Sequence, residues 1–214
     1  MKKNMDCSLT LPSKSTEERI REAAKRVFLE KGFDGATSRD IAEAANINIA
    51  LTNYYFRSKE KLFISIFEEM LQLFFNGMIE IMNQPISLRE KIAELIRHDF
   101  QLMKENPSLS LFVMNEVHRN PERMVNCMGV MKQIHHSMFE EQLQKEVNLG
   151  TIREINAIHL LPMIFCNIQF LFIGKAMHMK MWQMTSEQFD EFAEKHKNLV
   201  IDMITEYLFE FEKA

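Results

Sequence analysis

Apolar residues recur at three- and four-residue intervals along most of this chain, the period of helices that each bury one face. Ile20, Ala23, Ala24, Val27 and Phe28 form the first stripe. Ser15 with Glu18 three residues on makes a capping box ahead of it, and Gly32 supplies the left-handed residue that closes a helix. Phe33 then tucks the exit against the core. Thr37 with Asp40 starts a second, short helix of small residues, Ile41, Ala42, Ala44 and Ala45. After Asn46, a residue type that tolerates positive φ, Asn48 caps a third helix over Ile49 to Phe56.

Two short helices joined by a three-residue turn have the spacing of a helix-turn-helix, in which the second helix presents its outer face to the major groove. Ile47 and Leu51 are expected to pack inward. Ile49, Ala50, Asn53, Tyr54 and Tyr55 leave a surface of aromatics and amide where a solvated helix would show Lys and Glu. Tyr hydroxyls donate to phosphate, Asn reads an adenine edge, and Ile or Ala meets a thymine methyl. An αα-corner with buried tyrosines has the same spacing.

The run Ala36-Thr37-Ser38-Arg39-Asp40-Ile41-Ala42-Glu43-Ala44-Ala45-Asn46-Ile47-Asn48, followed by Asn53-Tyr54-Tyr55-Phe56-Arg57-Ser58-Lys59-Glu60-Lys61-Leu62-Phe63, resembles the amino-terminal DNA-binding domain of the TetR family. The resemblance covers about residues 15–63 and includes Gly32-Phe33. It implies phosphate contact at Thr37 and Arg39, base-facing positions at Ile49, Ala50, Leu51 and Asn53, backbone contact at Tyr54 and Tyr55, and a phosphate-binding lysine at Lys59, with Ser58 as the cap of the fourth helix. Asn46 replaces the family's usual turn glycine. Asn53 replaces the first of its two tyrosines, which bears on base preference and not on fold.

The rest of the chain reads as helices. Leu62, Phe63, Ile66, Phe67, Met70, Leu71, Phe74, Met78, Ile81 and Met82 keep one stripe until Pro85. Further helices are expected near 87–105, from Pro107 to His118, from Pro121 to Val147, and, past the break at Gly150, near 151–181 and 186–212. The predicted fold is all-α, about nine helices: a flexible basic tail (1–14), a three-helix helix-turn-helix domain (15–62) and a helical effector-binding and dimerisation bundle (63–214).

Composition agrees with helices, since Gly and Pro number only 6 and 5 in 214 residues. Residues 1–61 hold 12 Lys and Arg against 9 Asp and Glu, and the remainder 14 against 21. The asymmetry suits a polyanion-facing amino end on an acidic body. Cys7, Cys127 and Cys166 are too scattered for a disulfide framework or zinc ribbon, and the tail lacks the apolar core of an export signal, so a cytoplasmic location is expected. Ile155 to Gly174 carries no Asp, Glu, Lys or Arg and is long enough to cross a bilayer, but Asn156, His159, Asn167, Gln169 and Pro162 interrupt it. The reading is a buried helix, with no membrane partner.

Residues 64–214 hold 15 of the 17 Met and 13 of the 17 Phe, an interior that adapts its shape. Either an ordinary core or a plastic pocket accounts for them. The pocket reading places an apolar effector against Phe74, Met78, Phe100, Met103, Met131, His135, Phe165 and Gln169; His135 and Gln169 either orient the ligand or bond to neighbouring carbonyls. The histidines are scattered and no nucleophile elbow or Gly-rich loop is present, so no catalytic residues, cofactor or metal site is expected; Cys127 with His135 is a thin exception.

These readings converge on a one-component regulator, a repressor binding a palindromic operator in double-stranded DNA as a homodimer through its last two helices, with Phe170 and Val200 on the interface. An unidentified apolar small molecule releases it. The alternative is a DNA-binding dimer with no small-molecule ligand, controlled by a protein partner or by expression level.

Overall fold

The computed structural model describes residues 15–122 and 137–210, apart from the side chains of Leu73 and Phe74. Ten helices and no strand occur among these residues: α1 (Thr16–Gly35), α2 (Ser38–Ala45), α3 (Ile49–Tyr55), α4 (Lys59–Met82), α5 (Leu88–Glu105), α6 (Leu109–Arg119), α7 (Met138–Leu149), α8 (Ala157–Ile173), α9 (Lys175–Met181) and α10 (Ser186–Phe209). The chain divides into two compact units, one through Phe67 and one from Glu68. The all-α class is as expected; the helix count is higher because the segment near 151–181 is two helices, bent by 61°.

The first unit is built on the predicted stripe, with Ile20, Ala23, Ala24, Val27 and Phe28 buried. Phe28 meets Phe63 edge-on at 5.0 Å, Phe33 tilts onto the same ring at 4.9 Å, and Phe67 stacks on it at 5.8 Å. Gly32 does not end α1 as the pattern suggested. It kinks the helix at φ 69, ψ 179, and a last turn runs on to Gly35. Both capping boxes form: Glu18 N–H donates to Ser15 Oγ, and Asp40 N–H to Thr37 Oγ1.

In the second unit α5 is central, packing against α7, α8 and α10, while α8 also meets α6, α9 and α10. Ser87 and Thr185 complete capping boxes on α5 and α10. α6 starts at Leu109, two residues later than expected, and Ser108 offers it no side-chain cap. The part of the predicted 121–147 helix that falls in 123–136 lies outside the described residues; α7 starts after Ser137, whose Oγ accepts from Glu140 N–H at 3.3 Å.

α4 is long and apolar enough to span a bilayer, as is the α8–α9 pair taken together. Part of each is buried in the described fold. Leu62, Phe63, Ile66 and Phe67 lie in the first core; Met70, Leu71, Phe75, Met78, Ile81 and Met82 are buried further along α4. Leu160, Ile164, Ile168, Leu171 and Phe172 are buried on α8.

Gly32 gives a clean backbone test. Its φ and ψ belong to a region that only glycine occupies readily, yet a Cβ there would meet nothing within 4 Å. Gly32→Ala should therefore destabilise the protein by about 1–3 kcal/mol through backbone strain alone. Urea unfolding measures it, and an unchanged midpoint would refute the assignment.

Candidate nucleic-acid interface and interior cavity

The turn between α2 and α3 rests on one left-handed residue. Asn46 has φ 54 and ψ 53, and its N–H bonds back to α2. Arginines of α1 hold the same end: Arg19 Nη2 donates to the Ala45 carbonyl at 2.9 Å, and Arg26 Nη2 to the Ala44 carbonyl at 3.2 Å. Both place positive charge at the negative end of α2. At its other end, Lys31 donates to Asp40 Oδ1 at 2.7 Å. That bond, with those from Thr37, holds the Asp40 carboxyl down at about 2.

Asn48 Oδ1 accepts from Ala50 N–H at 2.8 Å and starts α3. Of the seven residues of α3 only Thr52 is buried. Leu51 is 39% exposed, so it does not pack inward; it stands out with Ile49, Tyr54 and Tyr55, and Tyr54 reaches 77% exposure. The tyrosine rings meet edge-on at 5.4 Å. Ala50, Asn53, Thr37 and Arg39 are likewise exposed. Arg57, exposed in the link from α3 to α4, is a further cation that sequence reasoning passed over; its place beside Lys59 was the available signal.

Lys59 is only part-exposed. Its Nζ donates to the carbonyls of Phe33 at 2.8 Å and Ala36 at 2.9 Å, and lies 4.2 Å from the centre of the Phe33 ring. Two of its three donors thus close the end of α1, leaving one for an external acceptor.

Residues 20–66 match the sequence profile described as bacterial regulatory proteins of the tetR family. Over this segment the chain is similar to the regulators of that family. Among curated relatives, it is 29% identical over 109 residues to the "Probable HTH-type transcriptional regulator YttP" of Bacillus subtilis, covering 48% of this chain and 51% of that one, so the match spans about half the relative's length. It is 24% identical over 135 residues to the fatty acid metabolism regulator protein of Bacillus subtilis, covering 63% and 70%, and 27% identical over 154 residues to RutR of Escherichia coli K12, covering 70% of each. The crystal structure of Bacillus subtilis FadR in complex with stearoyl-CoA has a similar fold, with TM-score 0.60 at 22% identity over 86% of this chain and 97% of that one.

In the second unit a cavity of about 90 Å³ is lined by Leu71 and Phe75 of α4, Met103 of α5, Leu109, Ser110 and Val113 of α6, and Gln169 of α8. It brings together Met103 and Gln169 of the residues predicted for an effector. Met78 and Phe100 are buried in packed interior, Phe100 edge-on to Phe172 at 5.5 Å, and Phe165 is half-buried. Met131, His135 and Cys127, and the side chain of Phe74, lie outside what the structure describes. Among the described residues no group of three His, Cys, Asp or Glu is placed to hold a metal.

Gln169 Nε2 donates to Asp99 Oδ1 at 3.3 Å. Asp99 is fully buried, and that desolvation pushes its carboxyl up to about 7, against the smaller lowering effect of the Gln169 bond. Folded protein therefore keeps this proton at pH values where unfolded chain has lost it. Stability should fall by about 1.4 kcal/mol per pH unit as pH rises from about 4 to about 7, and level off above. Asp99→Asn should remove that slope, so the variant gains on the native protein between pH 5 and pH 8 in urea unfolding; parallel curves would refute the buried-carboxyl account.

Proposed function

We propose that the chain is a cytoplasmic one-component transcriptional repressor that binds a palindromic operator as a homodimer and is released by a small apolar effector. The observation that carries it is α3, a short helix that exposes six of its seven residues, among them Ile49, Leu51, Tyr54 and Tyr55. Apolar and aromatic side chains gathered on so small a helix need a partner surface, and a major groove with its flanking phosphates supplies thymine methyls, base edges and acceptors. In this reading Ile49, Ala50, Leu51 and Asn53 face bases. Thr37, Arg39, Tyr54, Tyr55 and the remaining donor of Lys59 take phosphates.

Two residues separate the contributions. Asn53→Ala should change sequence preference, at about 1–3 kcal/mol where it pairs with adenine. Lys59→Ala should weaken binding to all sequences and reduce the salt slope by about one, and should also destabilise the first unit by releasing two carbonyls. Fluorescence anisotropy on operator and scrambled duplexes checks both, and equal binding by all three proteins would remove α3 from the interface.

The homodimer is supported by an exposed stripe on α8, Ile158, Pro162, Cys166 and Phe170, one turn apart in sequence, and another on α10, Leu199, Met203 and Tyr207. Contiguous exposed apolar faces of this kind mark association surfaces. Half-sites would then lie about 34–36 Å apart or at a related multiple. Val200, expected on this face, is instead 3% exposed and belongs to the core; a charge there would unfold the unit. Phe170→Glu and Leu199→Glu should each yield folded monomers in sedimentation velocity, and dimers that survive both changes would overturn the interface.

Effector release rests on the cavity beside α4, a helix unbroken from Lys59 to Met82. A ligand that favours a conformation with mis-spaced recognition helices weakens operator binding by the same coupling, typically about 1–3 kcal/mol. Fatty acyl effectors of the kind named for Bacillus subtilis FadR do not suit a cavity of about 90 Å³, so the reading takes a smaller molecule.

A further inference from the structure

The interior of the second unit is mostly apolar, and among its few buried polar groups, which include Lys91, Ser110, Glu116 and Thr205, the adjacent His98 and Asp99 of α5 lie toward the cavity end of that helix. Asp99 is fully buried, and its Oδ2 has no hydrogen-bond partner among the described residues. His98 buries its Nε2, also unpartnered there. Its ring sits where α4 has no side chain: a Cβ on Gly77 would fall 2.3 Å from His98 Cε1. A helix needed only for packing would carry Leu at such a position, since a buried acceptor without a donor is a standing cost.

Gln169 joins this polar pair to the cavity. It lines the cavity and spends an N–H on Asp99 Oδ1, which leaves its carbonyl oxygen as an acceptor. Met103, also in the lining, stands one helical turn from Asp99 on α5. Among the described residues the buried hydroxyl of Ser110, on α6, has only the Met103 sulfur as acceptor, a weak one. The cavity is thus apolar over most of its wall, with Gln169 and Ser110 as its polar lining and Asp99 one bond behind Gln169.

We propose that Asp99 and Gln169 read the polar end of the effector and select a small apolar compound carrying a protonated amine, an inference that rests on the cavity being the effector site. An ammonium brings donors for Asp99 Oδ2 and the Gln169 carbonyl together with the charge that keeps the carboxylate ionised. Because burial already holds that carboxyl near neutrality, at about 7, little is needed to ionise it. A carboxylate ligand would instead set a second negative charge against a buried acid, and a neutral alcohol would satisfy an acceptor without neutralising the charge. The cavity volume limits the apolar part to a few carbons, with the flexible Met103 thioether able to yield.

The test titrates the full-length protein, its methionine methyls carrying carbon-13, with butylamine, butanol and butyrate at matched ionic strength, following the Met103 methyl. Butylamine should bind about ten-fold more tightly than butanol, and butyrate most weakly. Asp99→Asn should bring amine and alcohol to within about two-fold of each other while the alcohol still binds. Val113→Phe, which fills the cavity, should abolish the response to all three. If all three compounds bind alike in the native protein, or butyrate binds best, the amine assignment is overturned and the effector cavity stands. If none moves the Met103 methyl, the cavity itself fails as an effector site, and the amine assignment with it.

Discussion

α3 has no core of its own, and that constraint governs the first unit. With one buried residue in seven, it cannot be held by hydrophobic burial, which stabilises helices through an apolar face. Its position is inherited from bonds to its neighbours. Asn46 turns the chain in a left-handed conformation, Arg19 and Arg26 grip the carbonyls that end α2, and Lys59 ties the start of α4 to the end of α1. Arg21 adds a bond from α1 to Ser65 on α4, at 2.9 Å. Several cations of the unit proposed to face a polyanion thus serve as internal fasteners, and the exposed remainder, with the aromatic face of α3, is left for the proposed contact.

The second unit solves a different problem. Its helices pack chiefly through apolar faces, and the buried Asp99, the His98 ring against Gly77 and the Gln169 bond stand out within that interior. Polar groups of this kind cost stability wherever they remain unpaired. Their proximity to one stretch of α5, near a cavity bounded by the adaptable Met103, joins a stability deficit to a binding opportunity. A ligand that supplies the missing partner recovers what the empty interior forgoes, which gives it differential affinity for the conformation that holds the site together.

The sequence was most legible where local chemistry decides structure. Ser15 with Glu18, and Thr37 with Asp40, mark helix starts because the bonds they make are short-range, and Asn46 reads as left-handed for the same reason. The amphipathic stripe of α1 names its buried residues correctly, since a 3.6-residue period leaves only one face for the core. Leu51 and Val200 were misplaced because period alone does not say which side of a helix a neighbour occupies: α3 offers no apolar majority to decide it, and on α10 exposed Leu199 and buried Val200 are adjacent. The bend at Gly174 was invisible for another reason. A Cβ there would sit 3.2 Å from the Phe170 carbonyl and 3.3 Å from the His178 ring, a crowding that exists only once α8 and α9 have folded.

Lys59 shows why a motif residue is not a single-purpose residue. Read from the resemblance alone it is a phosphate ligand; in place, it first closes α1 by bonding two carbonyls and covering the Phe33 ring. The roles are compatible because an ammonium has three donors and the carbonyls take two. They are also coupled. The same bonds that fix Nζ reduce the side-chain entropy lost on meeting a phosphate, so a rigidly held lysine binds at lower ordering cost than a free one on the surface. By that logic the fold's own fastening would prepare the proposed contact, and replacing Lys59 would remove both at once.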